Sequence, residues 1–145
     1  MKLKHYIIGI VIVIIDQLSK MLIINKKIPV IPNFLEFNYT QNTGGAFGIG
    51  RINFILIISI IIIIGIIVFL IKENTKITNY IPFVLLLSGS IGNLIDRIFK
   101  GYVIDFIDIN ILDFPNFNIA DISIVFGVIV LLYIILLKST NDNEN

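Results

Sequence analysis

Residues 114–137 read FPNFNIADISIVFGVIVLLYIILL, and Asp121 is the last charge before an apolar run long enough to cross a bilayer. A helix of about 18 to 20 apolar residues spans a hydrocarbon core of about 30 Å. Working outward from this stretch, windows of the same character recur, and spans are expected near residues 6–24, 52–71, 80–98 and 119–137. The fold class is therefore an all-α membrane protein with four transmembrane helices, residues 1–145 forming a single integral membrane domain.

Composition agrees with that reading. A hydrophobic content of 57% with only 14% charge lies outside the range of soluble domains. The net charge of +1 is small and the basic residues are scattered, so no nucleic-acid partner is expected. There is no cysteine, which removes disulfides, thiolate metal sites and thiol nucleophiles. The single histidine, His5, lies near the N-terminus, which removes His-paired serine hydrolases and zinc sites of the H-E-x-x-H kind. The opening MKLKHYIIGIVIVII resembles a signal peptide but is followed by DQLSK rather than small residues, so it is read as a retained anchor helix.

The connections differ. Residues 72–79, KENTKITN, form a short polar turn, whereas 25–51 and 99–118 are long and carry aromatics, Gly, Pro and Asn. FLEFNY, residues 34–39, follows Pro29 and Pro32 and has strand-like content, so a small extramembrane β-containing region is expected there. The tail STNDNEN, residues 139–145, is expected to fray. Four crossings place both long connections on one face of the membrane. The polar motifs gather at that face: DQLSK at the outgoing end of span one, GNLIDR at the outgoing end of span three, and Asp121 at the incoming end of span four. Charged groups inside a membrane cost about 2.5 to 3.5 kcal/mol each near a helix centre, so they need partners and mark function. Charge does not choose the face: Lys2, Lys4, Lys72, Lys76 and Lys138 on the terminus side stand against Lys26, Lys27, Arg51 and Lys100 opposite.

Several residues have both a structural and a chemical reading. Asp16 and Lys20, four apart, can pair on one helix face, whether to lock packing or to serve a site. Ser19 beside Lys20 points elsewhere on the helix, which argues against a Ser-Lys dyad. Ser88, Gly89, Ser90 and Gly92 suit a close helix contact. Asn93 and Arg97 share a face, and Arg97 either snorkels to lipid phosphates or serves the site. NTGGAFG, residues 42–48, is a turn or a place where backbone approaches a ligand closely; it lacks the setting of a phosphate loop. Asn118 and Asp121 fit a helix N-cap with an acid at its third position. Against a purely capping role stands a second acid, Asp105 in GYVIDFIDI, on the same face of the membrane. Two carboxylates in a partly dry place cannot both ionise cheaply, which equips the pair as one base and one acid. Asp108 and Asp113 occupy the same connection and are rivals on spacing alone.

The motifs DQLSK, NTGGAFG, GNLIDR, VIDF and FPNFNIAD, in this order over residues 16–124, closely resemble those of the bacterial lipoprotein signal peptidases, signal peptidase II. The resemblance implies a membrane aspartyl endopeptidase that cuts prolipoproteins immediately before the diacylglyceryl-modified cysteine. It implies Asp105 and Asp121 as the catalytic pair, with Asp16, Lys20, Asn42, Gly44, Asn93, Arg97 and Asn118 supporting or binding substrate. Neither a metal nor another cofactor is implied; the partners are the lipid-modified prolipoprotein and membrane lipids, and the protein is expected to act as a monomer. The implied location is the bacterial cytoplasmic membrane, with the site near the outer face and the termini cytoplasmic. Gly45 and Ser88 depart from the family pattern, which has alanine and glycine there. The competing class is a small channel or transporter subunit using Asp16, Lys20, Asp105 and Asp121 as a polar path.

Overall fold

The computed structural model describes residues 2–44, 52–73, 79–110 and 114–143. In chain order the elements are α1 (Leu3–Ile23), β1 (Lys27–Ile31), β2 (Leu35–Asn42), α2 (Ile52–Lys72), α3 (Ile81–Lys100), β3 (Val103–Ile109) and α4 (Ile119–Asn143). All four helices are long and apolar enough to cross a membrane, and their bounds lie close to the expected spans. The one larger difference is the end of α4. Its helix continues through Asn143, where a frayed tail was expected, because hydrogen bonding once propagated extends cheaply through polar residues.

Burial is inverted relative to a water-soluble protein. Asp16, Lys20, Asp96 and Asn118 are wholly enclosed, while Ile10, Leu22, Ile61 and Leu136 stand outward. Lipid makes both halves of this pattern favourable, since aliphatic side chains lose nothing by facing acyl chains and ionic groups must find partners inside. α3 packs against each of the other three helices. Its small residues permit this: a Cβ at Gly89 would run into the Ala120 carbonyl oxygen, and one at Gly92 would stand 2.7 Å from Asp16 Oδ2. Ser88 fits the same seam, its hydroxyl donating to the Val84 carbonyl at 2.8 Å.

The three strands form one antiparallel sheet, ordered β1-β2-β3. Because β1 and β2 come from the first long connection and β3 from the second, both connections lie at the same end of the bundle, as the parity of crossings requires. Pro29 sits in β1, an edge strand, where a missing N–H does least harm. β2 contains residues 35–39 of the expected FLEFNY strand, Phe34 lying in the turn before it. The sequence pattern marks 99–118 as a connection with no strand of its own; VIDFIDI is a strand because β2 offers it a partner from Leu35↔Ile109 to Asn42↔Val103. Gly101, at φ +78°, ends α3 in the left-handed conformation and turns the chain into β3. Beneath the sheet Ile23, Ile104 and Phe106 form a small core with Phe37 and Ile119 against it. Phe106 and Ile107 donate their N–H groups to the Phe117 carbonyl, which fixes the approach to α4.

Candidate active site

Asp121 answers first as a cap. Asn118 precedes α4; its Oδ1 accepts the Asp121 N–H at 3.0 Å, and Asp121 Oδ2 accepts the Asn118 N–H at 3.1 Å. This is a reciprocal capping box, which satisfies two groups that helix ends leave unpaired. Yet it occupies only one carboxylate oxygen. Oδ1 of Asp121 accepts from Asn93 Nδ2 on α3 at 2.7 Å.

Asp105 is delivered by β3 to the same place. Its Oδ1 accepts from Asn118 Nδ2 at 2.7 Å and its Oδ2 from Asn42 Nδ2 at 2.9 Å. One residue, Asn118, thus bonds both acids, Asp105 through its side chain and Asp121 through its backbone. Asp105 is 3% exposed, and burial lifts its carboxyl to about 6. The amide donors of Asn42 and Asn118 and the Lys20 charge oppose that rise, while the Asp121 charge adds to it.

Behind the pair lies an ionic network. Lys20 Nζ stands 2.8 Å from Asp16 Oδ2 and 3.1 Å from Asp96 Oδ2, and donates to Asn93 Oδ1 at 3.0 Å. Asp16 Oδ1 accepts the Ala120 N–H at 2.9 Å, at the first turn of α4. The expected Asp16–Lys20 pair is therefore present, and both members hold parts of the site. Ser19 donates to the Asp16 carbonyl at 2.8 Å and has no place in it.

A cavity of about 1040 Å³ opens before the two acids, lined by Asn42, Gly44, Asn93, Arg97, Asp105 and Asp121, and on its apolar side by Phe117, Ile122, Val125 and Phe126. Gly44 donates its N–H to Asn42 Oδ1 at 3.0 Å, so the loop orients the amide that holds Asp105. Arg97 donates from Nη1 to Ser59 Oγ on α2 at 3.4 Å, and its buried Nε has no partner among the described residues. Asp108 also lines the cavity but is held by Asn38 at 3.2 Å. Asp113 and residues 45–48 of NTGGAFG lie outside the described residues.

The structure thus brings together all nine residues expected at the site. It adds Asp96, which bonds Lys20, Lys100 and the Ile104 N–H, and Thr40, whose hydroxyl donates to the Asp105 carbonyl at 2.9 Å. Asp96 had a signal, its place inside GNLIDR four residues before Lys100. Thr40 had none before the register of β2 against β3 was known.

Comparison with known proteins gives a concordant result. The family model described as signal peptidase (SPase) II matches residues 8–137. The lipoprotein signal peptidase of Staphylococcus haemolyticus is 42% identical over 159 aligned positions, covering 99% of this chain and 100% of the relative. That of Staphylococcus aureus strain JH9 is 41% identical, covering 97% and 96%. A solved bacterial membrane enzyme superposes with a TM-score of 0.89 at 39% identity, over 98% of this chain and 93% of that one.

Proposed function

The chain belongs to the signal peptidase II family, and from that membership we propose a membrane aspartyl endopeptidase that removes signal peptides from prolipoproteins, with Asp105 and Asp121 as its working pair. The observation that carries the reading is Asn118, whose side-chain amide reaches Asp105 and whose backbone N–H reaches Asp121 at the wall of one cavity. A residue shared in this way fixes two carboxyls relative to each other.

The pair works with one proton between its members. The ionised carboxylate takes a proton from a water as that water attacks the scissile carbonyl, and the protonated one hydrogen-bonds the oxygen on which negative charge develops. Collapse of the tetrahedral intermediate breaks the C–N bond, and the leaving amine receives a proton from the pair. A carboxyl lifted to about 6 keeps proton exchange accessible near neutral pH. The cut falls immediately before the diacylglyceryl-modified cysteine. The apolar wall from Ile122 to Phe126 suits the lipid-bearing side of such a substrate, and the polar wall of Asn42, Asn93 and Arg97 suits its peptide. A channel needs polar groups through the whole depth of the spans, and a network confined to one end gives that reading no support.

The test is cleavage of a lipidated prolipoprotein by the purified protein. Asp105→Asn and Asp121→Asn should each lower turnover by about a thousandfold or more, since each removes a proton-transfer group. Asp108→Asn should keep most of it. Asn caps a helix well, so loss at Asp121 in a folded variant reports chemistry. A folded, active Asp121→Asn enzyme would return that residue to the status of a cap.

The substrate's cut site is exported before cleavage, so the sheet end belongs at the outer face of the cytoplasmic membrane, with the termini inside. The protein acts as a monomer and one integral membrane unit. Since the chain has no cysteine, Lys26→Cys and Lys72→Cys can be probed singly in intact cells with an impermeant thiol reagent. Lys26→Cys should label from outside and Lys72→Cys only after permeabilisation; the reverse result inverts the orientation.

A further inference from the structure

Asn118 joins the two acids directly, and a second connection joins them through α3 and α1. Asp96 on α3 is fully enclosed. Its Oδ2 accepts the N–H of Ile104, the residue that precedes Asp105, at 3.1 Å. The same oxygen stands 3.1 Å from Lys20 Nζ, which donates to Asn93 Oδ1 at 3.0 Å, and Asn93 Nδ2 donates to Asp121 Oδ1 at 2.7 Å. Oδ1 of Asp96 takes Lys100 Nζ at 2.7 Å. One carboxylate therefore holds the peptide that carries Asp105 and, through Lys20 and Asn93, the side chain of Asp121.

We propose that Asp96 is a positioning residue for the peptidase reaction, fixing the separation of Asp105 and Asp121 and balancing the cations behind them, the buried Lys20 and the partly exposed Lys100. The inference rests on the two-aspartate reading. The ring it completes runs from Asp96 through Ile104, Asn118, Asn93 and Lys20, with Asn118 Nδ2 donating to the Ile104 carbonyl at 3.3 Å and to Asn93 Oδ1 at 3.2 Å. Each of its members is buried, so the ring has no exposed segment through which to relax.

Charge supplies the second half of the argument. Lys20 and Lys100 face Asp16 and Asp96, two cations against two anions. Among the described residues, the charged and titratable groups around this set are Arg97 from α3, the Tyr102 phenol, Asp105 from β3 and Asp121 from α4, with the neutral Ser59 of α2 reached through Arg97. With the four balanced, the two working acids keep one proton between them. Loss of the Asp96 charge leaves Lys20 in excess, which favours ionisation of the neighbouring acids and drives off the proton they share. An amide at position 96 preserves an acceptor for the Ile104 N–H yet removes that balance, so geometry and charge can be separated.

The experiment measures kcat, KM and the pH profile of detergent-purified Asp96→Asn and Lys100→Met, with thermal unfolding to establish that each is folded. Asp96→Asn should lose roughly ten- to a hundredfold in kcat, the scale on which small misplacements act, with KM within about twofold. Its pH profile should move to lower pH by on the order of half a unit or more. Lys100→Met leaves Asp96 bonded to Ile104 and Lys20 but reverses the imbalance, so its profile should move to higher pH with a smaller loss of kcat. A wild-type kcat and profile in folded Asp96→Asn, with lowered thermal stability alone, overturns the proposal. Where Asp96→Asn fails to fold, Lys100→Met decides: a move to higher pH supports the proposal and an unmoved profile overturns it. The two-aspartate reading fails separately, on retained activity in Asp105→Asn or Asp121→Asn. If both of those are inactive while Asp96→Asn behaves as wild type, only the positioning role is lost.

Discussion

The same helices build both ends of this bundle, and the ends differ in how their buried polar groups are satisfied. At the terminus end His5 accepts the N–H of Lys2, three residues away, and packs on Tyr80 with ring centroids 5.5 Å apart. That hydrogen bond stays within its own first turn. At the sheet end Lys20 reaches 73 residues along the chain to Asn93, Asn42 reaches 63 to Asp105, and Ala120 reaches 104 to Asp16. A locally satisfied group stabilises an element; groups that satisfy one another across elements fix those elements in space, and here they do so around a cavity. The contrast locates function without reference to any particular residue type.

The largest effect that sharpens this contrast comes from Arg97. At the sheet end its Nε is buried without a partner among the described residues, while Nη1 makes a 3.4 Å bond to Ser59 and the side chain lines the cavity. Arg97→Lys keeps the charge and loses the planar fork of donors. Turnover should fall by about tenfold, the cost of a substrate group left without a hydrogen-bond partner. Wild-type turnover in this variant returns Arg97 to a snorkelling role and narrows the site to the two acids and their amides.

A smaller effect should come from Asn42. Its amide donates to Asp105 Oδ2 and so favours the charged form of that acid, opposing the burial that lifts the carboxyl to about 6. In Asn42→Ala the opposing donor is gone, and the Asp105 carboxyl should rise further. The limb of the pH profile governed by Asp105 should therefore move to higher pH, by roughly one unit. The direction is what matters, because it is independent of any loss in absolute rate. Movement to lower pH would mean that water entering behind the shortened side chain solvates the charge better than the amide did.

Legibility in the sequence follows the same division. The helices could be read because each is a continuous window of apolar residues, and the capping box because Asn118 and Asp121 are three apart. Asp16 and Lys20 could be paired at four-residue spacing, as helix geometry allows. What escaped was non-local. β3 is a strand because β2 lies beside it, and Ser59, in a helix otherwise almost featureless, matters through Arg97, 38 residues on. Asp96 sat in plain view within GNLIDR, yet its partners Lys20 and Ile104 come from α1 and β3, and no spacing rule connects them. Parity of crossings took the reading furthest, since it placed both long connections at one end before any contact was known.

The smallest expected effect belongs to the terminus end, and it breaks the comparison if it proves large. His5 is the protein's one imidazole, and the structure puts it against Tyr80, at the end of α3 remote from Asn93 and Arg97. Hydrolytic zinc is ordinarily held by imidazole or thiolate, and the site end offers carboxylates, amides and cations instead. His5→Ala should therefore leave turnover within about twofold while lowering thermal stability slightly, through the lost ring contact and the freed Lys2 N–H. EDTA should leave the wild-type rate unchanged. Dose-dependent loss with the chelator, restored by added metal, would replace the two-aspartate mechanism with a metal-bound water. A large fall in His5→Ala turnover at unchanged stability would show instead that the two ends are coupled through α1 and α3, and that a group hydrogen-bonded within its own first turn can still govern a site at the far end of the same helices.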